Sequence, residues 1–265
     1  TLSGIHASVG DMVFLLDDDD IMHRSRIEVC ASLFEQNENI SMIRHGIKVF
    51  DFEEQKFCES SNVEVQHSIK YGSTRRIIDL EKEDLPASAA VALNRRMSDL
   101  DSIIEAASDE EIMAKLSDSY QDTPVCYWSA FRGRGDVLWI PDILYYRRRH
   151  DDHSGTARSP ERAMINAKRA YYTIYITQNL CGKSLTNHAE RVLNTKLNYG
   201  ALLCAMFSGD RYLSFRMLSR FFFHEYAGFW TKMRTATRVI FYAITGVYFG
   251  LSFENNVRRF KSRLR

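Results

Sequence analysis

The sequence predicts an α/β domain over residues 1–157 followed by a helical, basic tail over residues 158–265. Three observations carry that prediction. Met12-Val-Phe-Leu-Leu16 is an uninterrupted apolar run, too short for a useful helix, that reads as a strand buried on both faces of a sheet. Short apolar runs recur as far as Ile140, with stretches of helical character between them. From Ser159 onward the composition is that of helix.

The first strand runs into Asp17-Asp-Asp-Asp20. Adjacent carboxylates repel one another, and an apolar strand gains nothing by ending in four of them unless a cation offsets the charge. Oxygen donors at the carboxyl end of a buried strand suit Mg²⁺ or Mn²⁺ holding a diphosphate; an acidic turn that caps the next helix is the plain alternative. That helix is expected over Met22–Gln36, where Ile27, Val29, Ala31, Leu33 and Phe34 fall among charges, and it should stop at Asn37 and Asn39. Ile40–Ile43 and Gly46–Phe52 read as two short strands, with Glu53-Glu-Gln-Lys56 as a hairpin turn before Phe57. Residues 59–86 are polar without a period and read as a loop with a short strand.

Ala87–Leu116 reads as helix broken near Ser108, with Arg95 and Arg96 on a solvated face. A helix over Thr123–Phe131 would have Asp122 as its cap and Pro124 in its first turn. Trp128, among Val125, Tyr127 and Phe131, suits either the core or stacking on a sugar. Gly133 and Gly135 mark a turn and Val137–Ile140 a strand. Arg147-Arg-Arg149 offers guanidinium forks that match phosphate oxygens, although side-chain alternation lets only some of the three point inward.

In the tail, Ser159-Pro-Glu161 starts a helix with a capping serine, a proline in the first turn and a carboxylate on the helix dipole. It should run to about Asn179 and stop at Gly182; a second helix should cover about Asn187–Phe207, and a third should start at Asp210. A fourth would contain Val239–Phe253, a run of 15 uncharged residues. Crossing a bilayer takes about 20, so this run reads as an interfacial helix or one packed on the domain.

Lys and Arg (35) nearly balance Asp and Glu (34), but residues 211–265 hold 11 of the former against 2 of the latter, leaving 24 against 32 in residues 1–210. Basic flanks around aromatic-rich apolar stretches suit an anionic lipid surface, and the alternative is a helical subdomain with a basic exposed face. The acidic body argues against nucleic acid as the partner. Five cysteines without C-x-x-C spacing argue against a disulfide framework or thiolate zinc site and for a reducing, cytoplasmic setting. No signal peptide is read after Thr1.

Two segments carry a resemblance. Ala7-Ser-Val-Gly-Asp-Met-Val-Phe-Leu-Leu-Asp-Asp-Asp-Asp-Ile-Met-His-Arg-Ser-Arg-Ile-Glu28 resembles the strand, DxDD and helix segment of family-two glycosyltransferases, the inverting nucleotide-sugar transferases of GT-A fold. Gln121-Asp-Thr-Pro124, then Val137-Leu-Trp-Ile-Pro-Asp-Ile-Leu-Tyr-Tyr-Arg-Arg-Arg-His150 and Ser154, is similar to the same family's later block, with Gln121 where the family usually has Glu. The resemblance covers roughly residues 1–155. It implies a GT-A domain entered midway, with nucleoside-holding βαβ units before Thr1, and transfer of a sugar from a nucleotide diphosphate donor to a saccharide or lipid-linked hydroxyl with inversion. In register, Asp17 and Asp19 match the metal-binding DxD positions and Asp20 the acidic residue after them. Asp122 matches the general base, and His150 a residue that joins the Mn²⁺ or Mg²⁺ or contacts the diphosphate. Asp17, Asp18, Asp20, Arg147 and Arg149 are then expected on the donor, and Trp128 on the acceptor. With the basic tail, this implies an enzyme peripheral on the inner membrane face, making a cell-surface polysaccharide or glycolipid. A non-catalytic docking portion that retains the motifs is the alternative.

Overall fold

The computed structural model describes residues 2–17, 20–51, 56–57, 71–72, 90–120, 122–149, 159–182, 187–224, 227–247 and 250. The chain forms two compact units: residues 1–114 with 121–153 and 179–186, and residues 115–120 with 154–178 and 187–265. Relative to the expected division after residue 157, residues 115–120 fall in the second unit and 179–186 in the first. The α/β character of the first part and the helical character of the second hold.

The described part of the first unit contains a mixed seven-stranded sheet. Its central path runs β1 (Met12–Phe14), β6 (Val91–Asn94), β3 (Ile40–Asp51), β7 (Asp136–Arg149), β2 (Ile21–Met22). The short β4 (Lys56–Phe57) pairs with the end of β3 and β5 (Tyr71–Gly72) with the start of β7. Only β3 and β7 run parallel among the described pairs. The helices are α1 (Leu2–Ala7), α2 (Arg26–Gln36), α3 (Leu100–Ala106), α4 (Glu110–Leu116) and α5 (Asp122–Phe131). Cys30 and Phe34 of α2 bury against Ile40, Ile43, Ala92, Leu138, Ile140 and Leu144 of the sheet.

Several expectations are corrected. The acidic segment leads first into β2, because Ile21 and Met22 pair with Tyr146 and Tyr145, so α2 starts at Arg26 rather than near Met22. Ile40–Asp51 is one strand rather than two, carrying register shifts around Gly46 where β7 accommodates Pro141 and Asp142. Phe50 and Asp51 pair with Phe57 and Lys56 as the hairpin requires, while its turn lies outside the described residues.

The largest correction concerns Val91–Asn94, read as helix and found as strand. Ala-Val-Ala-Leu is a fair helix former, but β6 is hydrogen-bonded on one side to β1 and on the other to β3, and tertiary pairing overrides so weak a propensity. With β6 inserted, β1 lies at the end of the strand order with Val13 buried and its neighbours half-buried, not covered on both faces. Arg95 is no solvated helix residue either: its guanidinium donates to the carbonyls of Ile5 (2.8 Å) and Ser8 (2.7 Å) and pairs with Asp101. Arg96 is exposed as expected.

Gly133 and Gly135 bring β7 against its neighbours. Arg134 N donates to Met97 O at 2.8 Å and Asp136 N to Asn39 O at 2.7 Å, and a Cβ on Gly135 would fall well inside contact with Asn39 O. A chain of hydroxyls ties α5 to β3: Ser129 Oγ donates to Ser98 Oγ (2.7 Å), which donates to Ser41 O (2.7 Å).

The second unit is built from α6 (Pro160–Cys181, whose last turn belongs to the first unit), α7 (Asn187–Phe207), α8 (Arg211–His224) and α9 (Phe229–Thr245). Its core joins Ala163, Leu202, Met206, Phe221, Val239 and Tyr242. Ser159 caps α6, accepting from Arg162 N at 3.2 Å, and Asp210 caps α8, accepting from Leu213 N at 2.8 Å. Asp210→Ala should cost about 1 kcal/mol in urea unfolding, the usual worth of a cap. A loss indistinguishable from zero would make the contact incidental.

The fourth helix departs from expectation. The apolar run does not form one helix, because α9 ends at Thr245 and Gly246 takes φ 79°, a left-handed conformation suited to glycine. No described helix is long and apolar enough to cross a membrane.

Candidate active site

The apolar character of β1 carries the chain to the sheet's end, and the acidic run begins three residues beyond it, with Asp17 exposed. Asp18 and Asp19 lie outside the described residues. Asp20 N donates to Asp17 O at 3.2 Å. The Asp20 carboxylate is fixed to β7 on both oxygens: Oδ1 accepts from Arg148 N at 2.7 Å, and Oδ2 accepts from the Tyr145 hydroxyl. Residues 125 and 128 positions apart in sequence are thereby joined.

Tyr145 is fully buried, and its hydroxyl is pushed far above the ordinary phenol range by burial, then by the bond to Asp20 and the charges of Asp17 and Asp20. It therefore stays protonated and remains a donor to the carboxylate. Behind its ring lies Arg26, whose side chain is 0 % exposed. The guanidinium sits 5.6 Å from the Tyr145 ring and 5.5 Å from the Phe14 ring, and donates to Leu15 O (3.0 Å) and Val91 O (2.8 Å). Burial lowers its pKa, yet arginine keeps its charge, so a fixed cation stands close to the Phe14 and Tyr145 rings. Arg26 and Tyr145 were missed in the sequence. An arginine in an amphipathic helix reads as solvated, whereas a tyrosine in a buried strand carries a usable signal, because its hydroxyl must find a partner.

At the carboxyl ends of the parallel pair, Val49, Phe50 and Asp51 stand beside Arg147, Arg148 and Arg149. Arg147 is exposed and Arg148 half-buried, the alternation expected of a strand. The Arg149 side chain and His150 lie outside the described residues, so the expected histidine contact does too. No cluster of three or more His, Cys, Asp or Glu that could hold a metal ion occurs among the described residues, which do not include Asp18, Asp19 or His150.

Asp122 opens α5, half-buried, with Oδ1 accepting from Thr123 N at 2.8 Å. Burial raises its pKa, opposed by the Thr123 hydrogen bond. A carboxylate with raised affinity for a proton, at a helix start, suits a general base. The hydrogen bonds that join Asp20 to β7 do not extend to it.

Trp128 is corrected from acceptor contact to core. It is 3 % exposed, its indole N–H donates to Asp99 O at 2.9 Å, and Arg132 lies 5.2 Å from its ring. Asp99 presents that carbonyl from a left-handed conformation, φ 54°, which Asp tolerates better than most residues. An indole so enclosed has no face for a sugar.

Compared with known proteins, the chain matches no family model, and no curated protein matches it.

Proposed function

We propose that the chain carries the metal and acceptor side of an inverting glycosyltransferase of GT-A type, moving a sugar from a nucleotide diphosphate to an acceptor hydroxyl. The observation that carries this reading is the docking of the acidic segment on β7. Asp20 bonded to Tyr145 and to Arg148 N brings together the two stretches that share the family resemblance. An acidic turn that only capped α2 would have no reason to be tied to the strand leading into the basic triplet.

Carboxylate oxygens are the donor set that Mg²⁺ or Mn²⁺ takes, and the residues fit such an ion. Asp20 is engaged by the protein and serves to anchor the segment; Asp17, exposed past β1, and Asp19 would hold the ion, joined by His150, the next residue in sequence after Arg149. When bound, the ion supplies charge neutralisation for the departing diphosphate. Arg147, exposed at the end of β7, adds a guanidinium for phosphate oxygens. Asp122 takes the proton of the acceptor hydroxyl as its oxygen attacks the anomeric carbon.

The test is calorimetric titration of UDP- and GDP-sugars with and without Mn²⁺. Metal-dependent heat is expected, and Asp19→Ala should abolish it without lowering the thermal unfolding temperature, because removing one of four adjacent charges relieves repulsion. No metal-dependent heat in the parent chain, or an unchanged titration in the variant, sinks the metal role and favours a docking portion without catalysis.

A further inference from the structure

The second unit exposes a surface that its fold does not use. In α9, Thr235, Val239 and Tyr242 face the core, while Phe229, Trp230, Met233, Ile240 and Ile244 fall at helical spacing on the opposite side, all exposed. Trp230 is 82 % and Ile244 75 % exposed. In α8 the pattern repeats: Ser214 and Phe221 are buried, and Tyr212, Phe215 and Phe223 are exposed on the side away from them. Single exposed apolar residues mean little, but an apolar stripe on each of two consecutive helices that pack together calls for an occupant.

Charge identifies that occupant. The two helices contain six Lys and Arg and not one Asp or Glu. Lys232 serves the fold, donating to Phe222 O at 2.8 Å, and Arg238 lies 5.6 Å from the Tyr242 ring. Arg211, Arg216, Arg220 and Arg234 are exposed beside the stripes. A second copy of the chain would set these cations against their own kind. Nucleic acid would meet the cations but leave the apolar stripes in water. An anionic bilayer satisfies both, with phosphates for the arginines and acyl chains for the stripe, and tryptophan at the level of the headgroups.

We infer that α8 and α9 form a monotopic docking surface for anionic membranes, with α9 lying in the interface plane and Phe229–Ile244 as its inserted face. The helix is about 25 Å long at 1.5 Å per residue, suited to lying flat, and Gly246 ends it before the remainder of the uncharged run. The inserted surface thus begins ten residues before Val239, where the apolar run starts. This inference is independent of the glycosyltransferase reading and needs no donor or metal to be tested.

The experiment uses the whole chain with phosphatidylcholine vesicles, with and without phosphatidylglycerol, at low and high salt, read by co-sedimentation and tryptophan emission. Of the three tryptophans, Trp128 is buried and Trp139 lies under the Arg44 guanidinium at 3.7 Å, so an emission shift reports Trp230. Binding to the anionic vesicles, weakened by salt and accompanied by a blue shift, is expected. Trp230→Phe should keep binding and lose the shift. Trp230→Gln with Ile244→Gln should weaken binding at least about tenfold. Arg216→Gln and Arg220→Gln should each cost about fivefold, the worth of one cation near an anionic leaflet. All these positions are exposed, and circular dichroism checks the fold. The inference is overturned by absence of binding at low salt, by double-variant binding equal to the parent's, or by a parent dimer that the double variant splits into monomers.

Discussion

Replacing Asp122 with asparagine is expected to lower turnover of the proposed transfer by about 10²–10⁴, the usual contribution of a positioned general base. The asparagine amide oxygen can accept the same bond from Thr123 N, so that contact survives while the proton acceptor is lost. Donor affinity should stay near its parent value. Stability should hold or rise, because burial already disfavours the charged carboxylate that the amide replaces. The pH profile gives a second reading of the same residue. A base must be ionised to act, and burial raises the Asp122 pKa, so activity should fall on the acid side at a pH above the ordinary carboxylate value of 3.8. Unchanged turnover in Asp122→Asn, with a parent profile flat through the carboxylate range, would leave the residue with a local structural role at the start of α5.

The largest effect on stability is expected at Arg26. Arg26→Ala removes two charge-assisted hydrogen bonds, to Leu15 O and Val91 O, and opens a cavity between the Phe14 and Tyr145 rings. Relief of the cation's desolvation offsets part of this, and the net cost should be about 3–5 kcal/mol in urea unfolding. Arg26→Met keeps most of the volume and isolates the polar part, which should account for about 2 kcal/mol. A loss below about 1 kcal/mol for Arg26→Ala would mean that the two carbonyls find other partners and that the cation is dispensable. Because the ring that Arg26 supports donates to Asp20, surviving Arg26→Ala protein should also show weaker Mn²⁺-dependent donor binding.

Much of the site could be read from residues in sequence. The acidic run after an apolar strand and the Val137–Arg149 stretch were both legible, since hydropathy and charge mark them without reference to anything distant. Their attachment was not legible, because it runs through the Tyr145 hydroxyl and a backbone N–H, neither of which advertises a partner. β6 was misread for a related reason: Val91–Asn94 is strand because β1 and β3 flank it, a cause lying outside the segment. In the second unit the caps at Ser159 and Asp210 could be read residue by residue, as local chemistry should be. The exposed face of α9 was hidden because its apolar residues are interleaved with Lys232, Arg234 and Arg238, while the uncharged run that drew attention is interrupted by a single glycine.

The parallel pairing of β3 with β7 bears on how the chain reaches its fold. Ser41 and Gly135, joined by a hydrogen bond, stand 94 residues apart, and Arg26 reaches across 65 residues to Val91. Closing a flexible loop of the larger size costs about 4 kcal/mol of chain entropy before any strand contact repays it. The contacts of α7 with α8 and of α8 with α9 join elements consecutive in the chain and ask for little such closure. Helix pairs of that kind form in microseconds to milliseconds, whereas sheets assembled from distant strands take milliseconds to seconds. The helices are therefore expected in place before the central strands have paired, and the anchor that holds Asp20 is expected among the last contacts to form.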